Sequence, residues 1–411
     1  MNTSEQEQPS GVRRRDLIAG AAGAGIGAAA MLGSVAAVNA VTSKPDEFGK
    51  ARTHASGPHQ PGLDVPRAHA VFIAVDLDES VDRERLRSLL RLLSDNARRL
   101  MAGTPPVGDQ EPSMAELPAN LAITFGFGPG LVDRVSPGAK PDWLKPLPAF
   151  KIDELEERWN DGDLLIWIAC DDPLTLAHAQ RMMLKDVRAY STIRWQQPGF
   201  RNAHRSLPEG TTQRNLFGQL DGTANAAAGT DEYDRLVWIT PETGPKWLAG
   251  GTSFVLRRIH MNMETWDEAD LPGREAAMGR RLDSGAPLTG VNEHDEVDFE
   301  ARTSLGFTII NQASHVRRAR PDDPNIRIVR VTYNYDHPVS GVGGMGAAVS
   351  DSGLLFGSLQ ANPDKQFVPI QQRLADGDLL NTWTVPVGSA VFAIPPAASA
   401  GGFVGDTLFD A

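Results

Sequence analysis

The order in which two kinds of apolar pattern alternate constrains this chain more than any single residue. Ala70-Val71-Phe72-Ile73-Ala74-Val75 is a continuous apolar run of strand length and reads as a buried strand. Residues 82–102 follow the other pattern: Leu86, Leu89, Leu90, Leu93 and Leu100 recur at helix spacing among Arg and Asp. A Pro-rich loop over 103–119 comes next, then a strand-like run, Leu121–Phe127, ending in Gly128-Pro129-Gly130. Residues 131–160 read as irregular or as short helices. Leu164–Ala169 is a predicted strand, Pro173–Lys185 a helix and Tyr190–Gln197 a strand. Asp172 is the expected N-cap of that helix, and Pro173 stands where a helix has no use for an N–H.

A second set of the same kind follows. Thr252–Met261 alternates and reads as a strand, and 264–281 reads as mostly helical with a break near Pro272. Ile326–Tyr335 and Leu354–Leu359 are strands, Asn362–Leu374 a helix, and Val385–Ile394 closes the set. Each set spells β-α-β-β-α-β, the ferredoxin-like order. The expected class is therefore α+β, with two ferredoxin-like halves side by side over 66–235 and 236–411 and a ligand pocket largely in the second. No clear internal identity relates the halves, so element order carries the inference.

The N-terminus has a different character. Arg13-Arg14-Arg15-Asp16-Leu17-Ile18 presents a twin arginine, and a moderately apolar Ala/Gly-rich run extends from Leu17 to Val38. That combination predicts a twin-arginine export signal over residues 1–40, with Val38-Asn39-Ala40 as a cleavage site. The export machinery is then a partner, and the destination is the periplasm, the cell envelope or the medium. A transmembrane anchor is the competing reading. Residues 41–65 read as a linker that becomes an ordered arm at Gly57–Leu63. The single cysteine, Cys170, has no partner for an internal disulfide and reads as core packing. A net charge of −12 argues against a general nucleic-acid binder.

Chemistry concentrates in three segments. Asn215-Leu216-Phe217-Gly218-Gln219-Leu220-Asp221-Gly222-Thr223-Ala224-Asn225 holds one carboxylate between two glycines, which let the backbone turn tightly and approach a ligand. Ser314-His315-Val316-Arg317 offers an imidazole, and Ile328-Val329-Arg330-Val331-Thr332-Tyr333-Asn334-Tyr335 an arginine on a strand. Each has a bland alternative: a turn aspartate bonding its own backbone, a solvated histidine among basic residues, and a surface charge on an edge strand. Tyr333 and Tyr335, with the tryptophans, could pass oxidising equivalents outward or simply fill the core.

Together these segments resemble the dye-decolourising peroxidases, and the resemblance extends over the whole chain after the export signal. It implies that family's α+β barrel, a haem b cofactor and a peroxidase that uses hydrogen peroxide to oxidise dyes, phenols or other bulky donors one electron at a time. It assigns His315 as the proximal iron ligand, Asp221 as the acid–base group and Arg330 as the charge that stabilises the departing oxygen. It places Gly222, Thr223 and Ala224 against the porphyrin, Arg280 on a propionate, and Arg320, Pro321 and Asp322 along the haem. The chain departs from the family pattern at Val331, Thr332 and Ala226. Glu293-His294-Asp295 matches a loop without a ligand role.

The exported relatives it most resembles include deferrochelatase/peroxidases, which adds iron-uptake components to the candidate partners. A homo-oligomer is also open. The alternative function is a haem-handling protein that delivers haem or releases its iron; it would need His315 and the propionate arginines but not the Asp221–Arg330 pair. A haem-free ferredoxin-like binding module is the third class.

Overall fold

Eight strands carry the architecture. In chain order they are β1 (His69–Leu77), β2 (Ala122–Phe127), β3 (Leu164–Cys170), β4 (Ser191–Phe200), β5 (Thr252–Met261), β6 (Val329–His337), β7 (Asp351–Gln360) and β8 (Thr384–Ile394). The helices are α1 (Arg83–Met101), α2 (Pro129–Val135), α3 (Pro173–Val187), α4 (Asp231–Val237), α5 (Met263–Glu268), α6 (Leu271–Met278), α7 (His315–Arg318), α8 (Phe367–Gly377) and α9 (Asp406–Phe409). The computed structural model describes residues 48–55, 57–208, 210–339, 350–399 and 401–411. The predicted export signal lies outside the described residues.

All neighbouring strands are antiparallel. The first half runs β4-β1-β3-β2 and the second β6-β7-β5-β8, so each has the ferredoxin-like order expected of it. The halves do more than lie side by side. Their edges join, β2 to β8 at Phe127–Ala393 and β4 to β6 at Phe200–Asn334, and close one eight-stranded barrel. Closure pairs the edge strands that two separate sheets would leave open.

Successive side chains of a strand point to opposite faces, and here both faces are covered. Phe72, Trp167, Phe254, Tyr333, Tyr335 and Phe392 belong to one buried core, in the lumen. Val71, Ile73, Ile123, Phe125, Ile166 and Ile168 pack outward against α1 and α3. A strand buried on both faces reads as an unbroken apolar run, which is why β1 and β3 stood out in sequence. Tyr333 and Tyr335 are core residues, 0% and 1% exposed.

Local signals fix the helices. Asp82 accepts from the Arg85 N–H at 2.8 Å and starts α1; Asp172 accepts from Thr175 at 2.8 Å and starts α3. The expected helix over 264–281 is two helices, because Asn262 and Asp270 each cap a new start and Pro272 sits in the first turn of α6. α8 begins later than expected. Gln366 gives its side-chain amide to the carbonyls of Leu236 and Arg327, both at 2.9 Å, and this holds 362–366 as a turn. The arm is stitched to the barrel by Gln60, which bonds both the N–H and the C=O of Phe125.

Candidate active site

The loop after β4 is built to present one carboxylate. Phe217 anchors it, stacked on Trp266 with centroids 4.4 Å apart. Gly218 and Gly222 then take φ of 79° and 124°, values that side chains resist. Between them the Asp221 N–H donates to the Gln213 carbonyl at 2.8 Å, and Gln213 in turn donates to the Thr332 hydroxyl at 2.8 Å on β6. Asn225 clamps the same strand: its amide bonds the Arg330 carbonyl at 2.8 Å and accepts from the Arg330 N–H at 2.9 Å. The loop and β6 are thus tied twice.

These ties bring the two charged groups together. Arg330 Nη2 lies 2.6 Å from Asp221 Oδ1, and the Asp221 side chain is only 5% exposed. The approach is close, but its angle is not that of a hydrogen bond. Among the described residues, Oδ1 is buried with an ion-pair neighbour and no hydrogen-bond partner. A carboxylate oxygen left in that state has capacity to bond something that enters the cavity. Arg201 adds a further positive charge nearby. Burial holds its guanidinium below the usual arginine range, partly opposed by Tyr333 and Asp221.

His315 opens α7, directly after the N-cap Ser314. Its Nδ1 lies 2.6 Å from Asp378 Oδ2, while Asp378 Oδ1 accepts from the Leu380 N–H at 3.0 Å. Against an ionised carboxylate, which only accepts, Nδ1 is the donor, and Nε2 is the ring nitrogen left to face the cavity as a ligand. His315, Asp221 and Arg330 all line one cavity, whose empty volume is about 900 Å³ including the part open to solvent. Phe217, Ile259, Met261, Leu354 and Leu380 give it apolar walls.

Family models match this chain in two segments: Dyp-type peroxidase, N-terminal, over residues 62–201, and Dyp-type peroxidase, C-terminal, over 212–399. A dye-decolorizing peroxidase of Thermobifida fusca (strain YX) is 35% identical over 99% of this chain and 100% of its own length. The chain belongs to the Dyp-type peroxidase family. It is a haem peroxidase. A deferrochelatase of Escherichia coli (strain UTI89 / UPEC) is 30% identical over 93% of this chain and 95% of its own. Among solved structures, a DyP-type peroxidase from Cellulomonas bogoriensis has a TM-score of 0.83 at 44% identity, covering 89% of this chain and 99% of that one. Ferric DtpA from Streptomyces lividans has a TM-score of 0.84 at 35% identity, covering 90% and 100%.

The residues present suit the family's haem. An imidazole, apolar walls and a buried carboxylate beside a guanidinium share this cavity, and such a lining can take a flat apolar ring system bearing a metal and a small polar molecule. Burial pushes Arg280 below the usual arginine range; Glu293 opposes this, while the charges of Arg320 and Arg330 add to it.

The other sequence-predicted contacts are half-buried or exposed. Gly222 and Thr223 are half-buried and Ala224 is exposed. Thr223 donates to Glu293 at 2.9 Å, and the Ala224 carbonyl accepts from Arg327 at 2.7 Å. Arg280 turns Nη1 to the carbonyls of Gly285 and Glu293, at 2.7 and 2.8 Å. Arg320 pairs with Glu296, Pro321 is half-buried and Asp322 is exposed. Sequence reasoning missed Asp378 and the buried Arg257–Asp153 pair beside the cavity. It also missed the Gln213 and Asn225 ties, although Asn225 was visible as part of the glycine motif.

Proposed function

We propose that His315 would hold the haem iron, that Asp221 and Arg330 would act on peroxide in the same cavity, and that bulky dyes or phenols are the reducing donors. Haem supplies the redox centre that takes the oxidising equivalents of peroxide and passes them to a donor. The chain's own residues move the proton. The Asp221 carboxylate would take it from one peroxide oxygen and return it to the other, which leaves as water. The Arg330 charge, 2.6 Å from that carboxylate, stabilises the departing oxygen as negative charge builds on it. Asp378 holds the His315 ring in one tautomer and raises its basicity toward iron. Arg280 would hold a haem carboxylate, with Gly222, Thr223, Ala224, Arg320, Pro321 and Asp322 along the haem. The twin arginine of residues 14 and 15 supports export of the folded protein by that route.

The observation that carries the reading is the Asp221–Arg330 pair facing the cavity that His315 also lines. A haem-handling role in iron uptake is supported by the deferrochelatase name of several relatives, but it would not require that pair. Haem-loaded Asp221→Asn and Arg330→Leu separate the two. Both are expected to retain haem, and at least one should react with peroxide more than about tenfold slower in stopped-flow mixing, a barrier change of about 1.4 kcal/mol. If both react like the parent, the pair is not catalytic and the haem-handling reading stands in its place. His315→Ala should lose the Soret band.

A further inference from the structure

The cavity also holds an oxidisable group that the reaction does not use. Met261, at the end of β5, and Met278, the last residue of α6, both line it and are 2% and 8% exposed. They share a small core with Phe217, Trp266, Leu354 and Leu380, and Met263 packs against the same core. Phe217 seats the loop that carries Asp221, so this core supports the catalytic carboxylate. A thioether accepts an oxygen atom from peroxide without help from a second reductant.

We propose that Met261 and Met278 are the sites at which the protein's own oxidant modifies it when donor is scarce, each becoming methionine sulfoxide, and that this modification ends turnover. The inference rests on the reading of this cavity as the place where peroxide reacts. The step balances with peroxide alone. The sulfur lone pair forms the new S–O bond, the O–O bond breaks, and the second oxygen leaves with both hydrogens as water. Sulfur is oxidised by two electrons and peroxide is reduced by two. The product puts a strong acceptor into an apolar wall, where an unpaired polar group is unfavourable. The packing under Phe217 loosens, and with it the placement of Asp221.

The molecule contains its own comparison. Met101, Met182 and Met183 are 2%, 2% and 0% exposed, but they lie in the outer core among α1 and α3. Burial is therefore matched for Met261, at 2%, and only proximity to the cavity differs there; Met278, at 8%, is somewhat more open.

Haem-loaded protein is treated with hydrogen peroxide without donor, digested, and mapped by mass spectrometry with fragmentation that separates Met261 from Met263. The expected result is the mass of one oxygen on Met261 and Met278 before Met101, Met182 or Met183. Excess guaiacol, whose oxidation consumes the peroxide, should suppress it. The double variant Met261→Leu, Met278→Leu, which keeps side-chain volume, should survive more peroxide. Even oxidation of all the buried methionines, or inactivation with Met261 and Met278 unmodified, would overturn the proposal. Guaiacol oxidation on the same sample keeps the two readings apart: a sample that turns over guaiacol but leaves both residues unmodified sinks only this inference, whereas no turnover sinks the peroxidase assignment of the site.

Discussion

Asp378→Asn tests the histidine side of the cavity most directly. Asp378 uses both carboxylate oxygens as acceptors, Oδ2 for His315 Nδ1 at 2.6 Å and Oδ1 for the Leu380 N–H at 3.0 Å. Asparagine has one acceptor oxygen and one NH₂. Whichever way it turns, one of the two donors faces another donor, and the negative charge behind the imidazole is gone. The Asp378 side chain is 3% exposed, so solvent gives little compensation. A hydrogen bond to a charged group contributes about 1.5–3 kcal/mol. Removing the outer partner of a metal-bound histidine costs about 10–100-fold in affinity, which is about 1.4–2.7 kcal/mol. The two ranges agree. Haem titration followed at the Soret band should therefore show affinity lower by about 10–100-fold. The iron reduction potential should rise, because a less basic imidazole stabilises the ferric state less. Parental affinity and an unchanged potential would refute the role given to Asp378.

Gly279→Ala should weaken haem binding without touching the cavity: at φ 82°, its new Cβ would lie 2.4 Å from Val316 Cγ1 and 3.2 Å from Ser314 Oγ, pushing on the helix that carries His315, and haem titration reads the loss. Cys170 should resist thiol reagents in the folded protein at pH 8, since burial pushes its thiol from 9.0 up to about 12. By the same shift, the unfolded chain loses the thiol proton first as pH rises, so this residue's contribution to stability falls between about 9 and about 12; denaturant titrations of the parent and Cys170→Ala should diverge in that window. Replacing Arg14 and Arg15 by Lys should leave the protein in the cytoplasm, as fractionation would show; normal export would mean that the segment is not a twin-arginine signal.

Legibility in the sequence followed how local each cause was. β5 was read to the residue, because its signal lies within its own ten residues. The expected strand stops at Gln197, yet β4 runs through Pro198 to Phe200. It has β1 beside it along its length but meets β6 only at Phe200, so a missing N–H leaves little of the ladder unmade. Asp221, His315 and Arg330 were found through motif resemblance, since nothing in their spacing brings them together. Asp378 carried no such mark. Its sequence context is that of an aspartate capping a short helical turn, a role it does fill at Leu380, and its second partner lies 63 residues away. Arg320, two residues past the end of α7 at Arg318, pairs with Glu296 at the surface.

The position of the site follows from how the barrel closes. Asp221 belongs to the loop that leaves β4, the last strand of the first ferredoxin-like set, and Arg330 lies on β6 in the second. Their side chains meet only because β4 and β6 form a seam, and the ladder there is thin, with Phe200–Asn334 as its pairing. Side chains supply what the ladder lacks. Gln213 reaches both the carbonyl and the hydroxyl of Thr332, Asn225 bonds both backbone groups of Arg330, and Asn334 donates to the Arg214 carbonyl at 3.1 Å. Thr332, where the chain departs from the family pattern, is thus one of the tie points. A seam fastened by side chains can hold a loop with two glycines at fixed register, which a longer backbone ladder would have drawn into the sheet. The same bonds that join the two halves therefore set the distance between the carboxylate and the guanidinium.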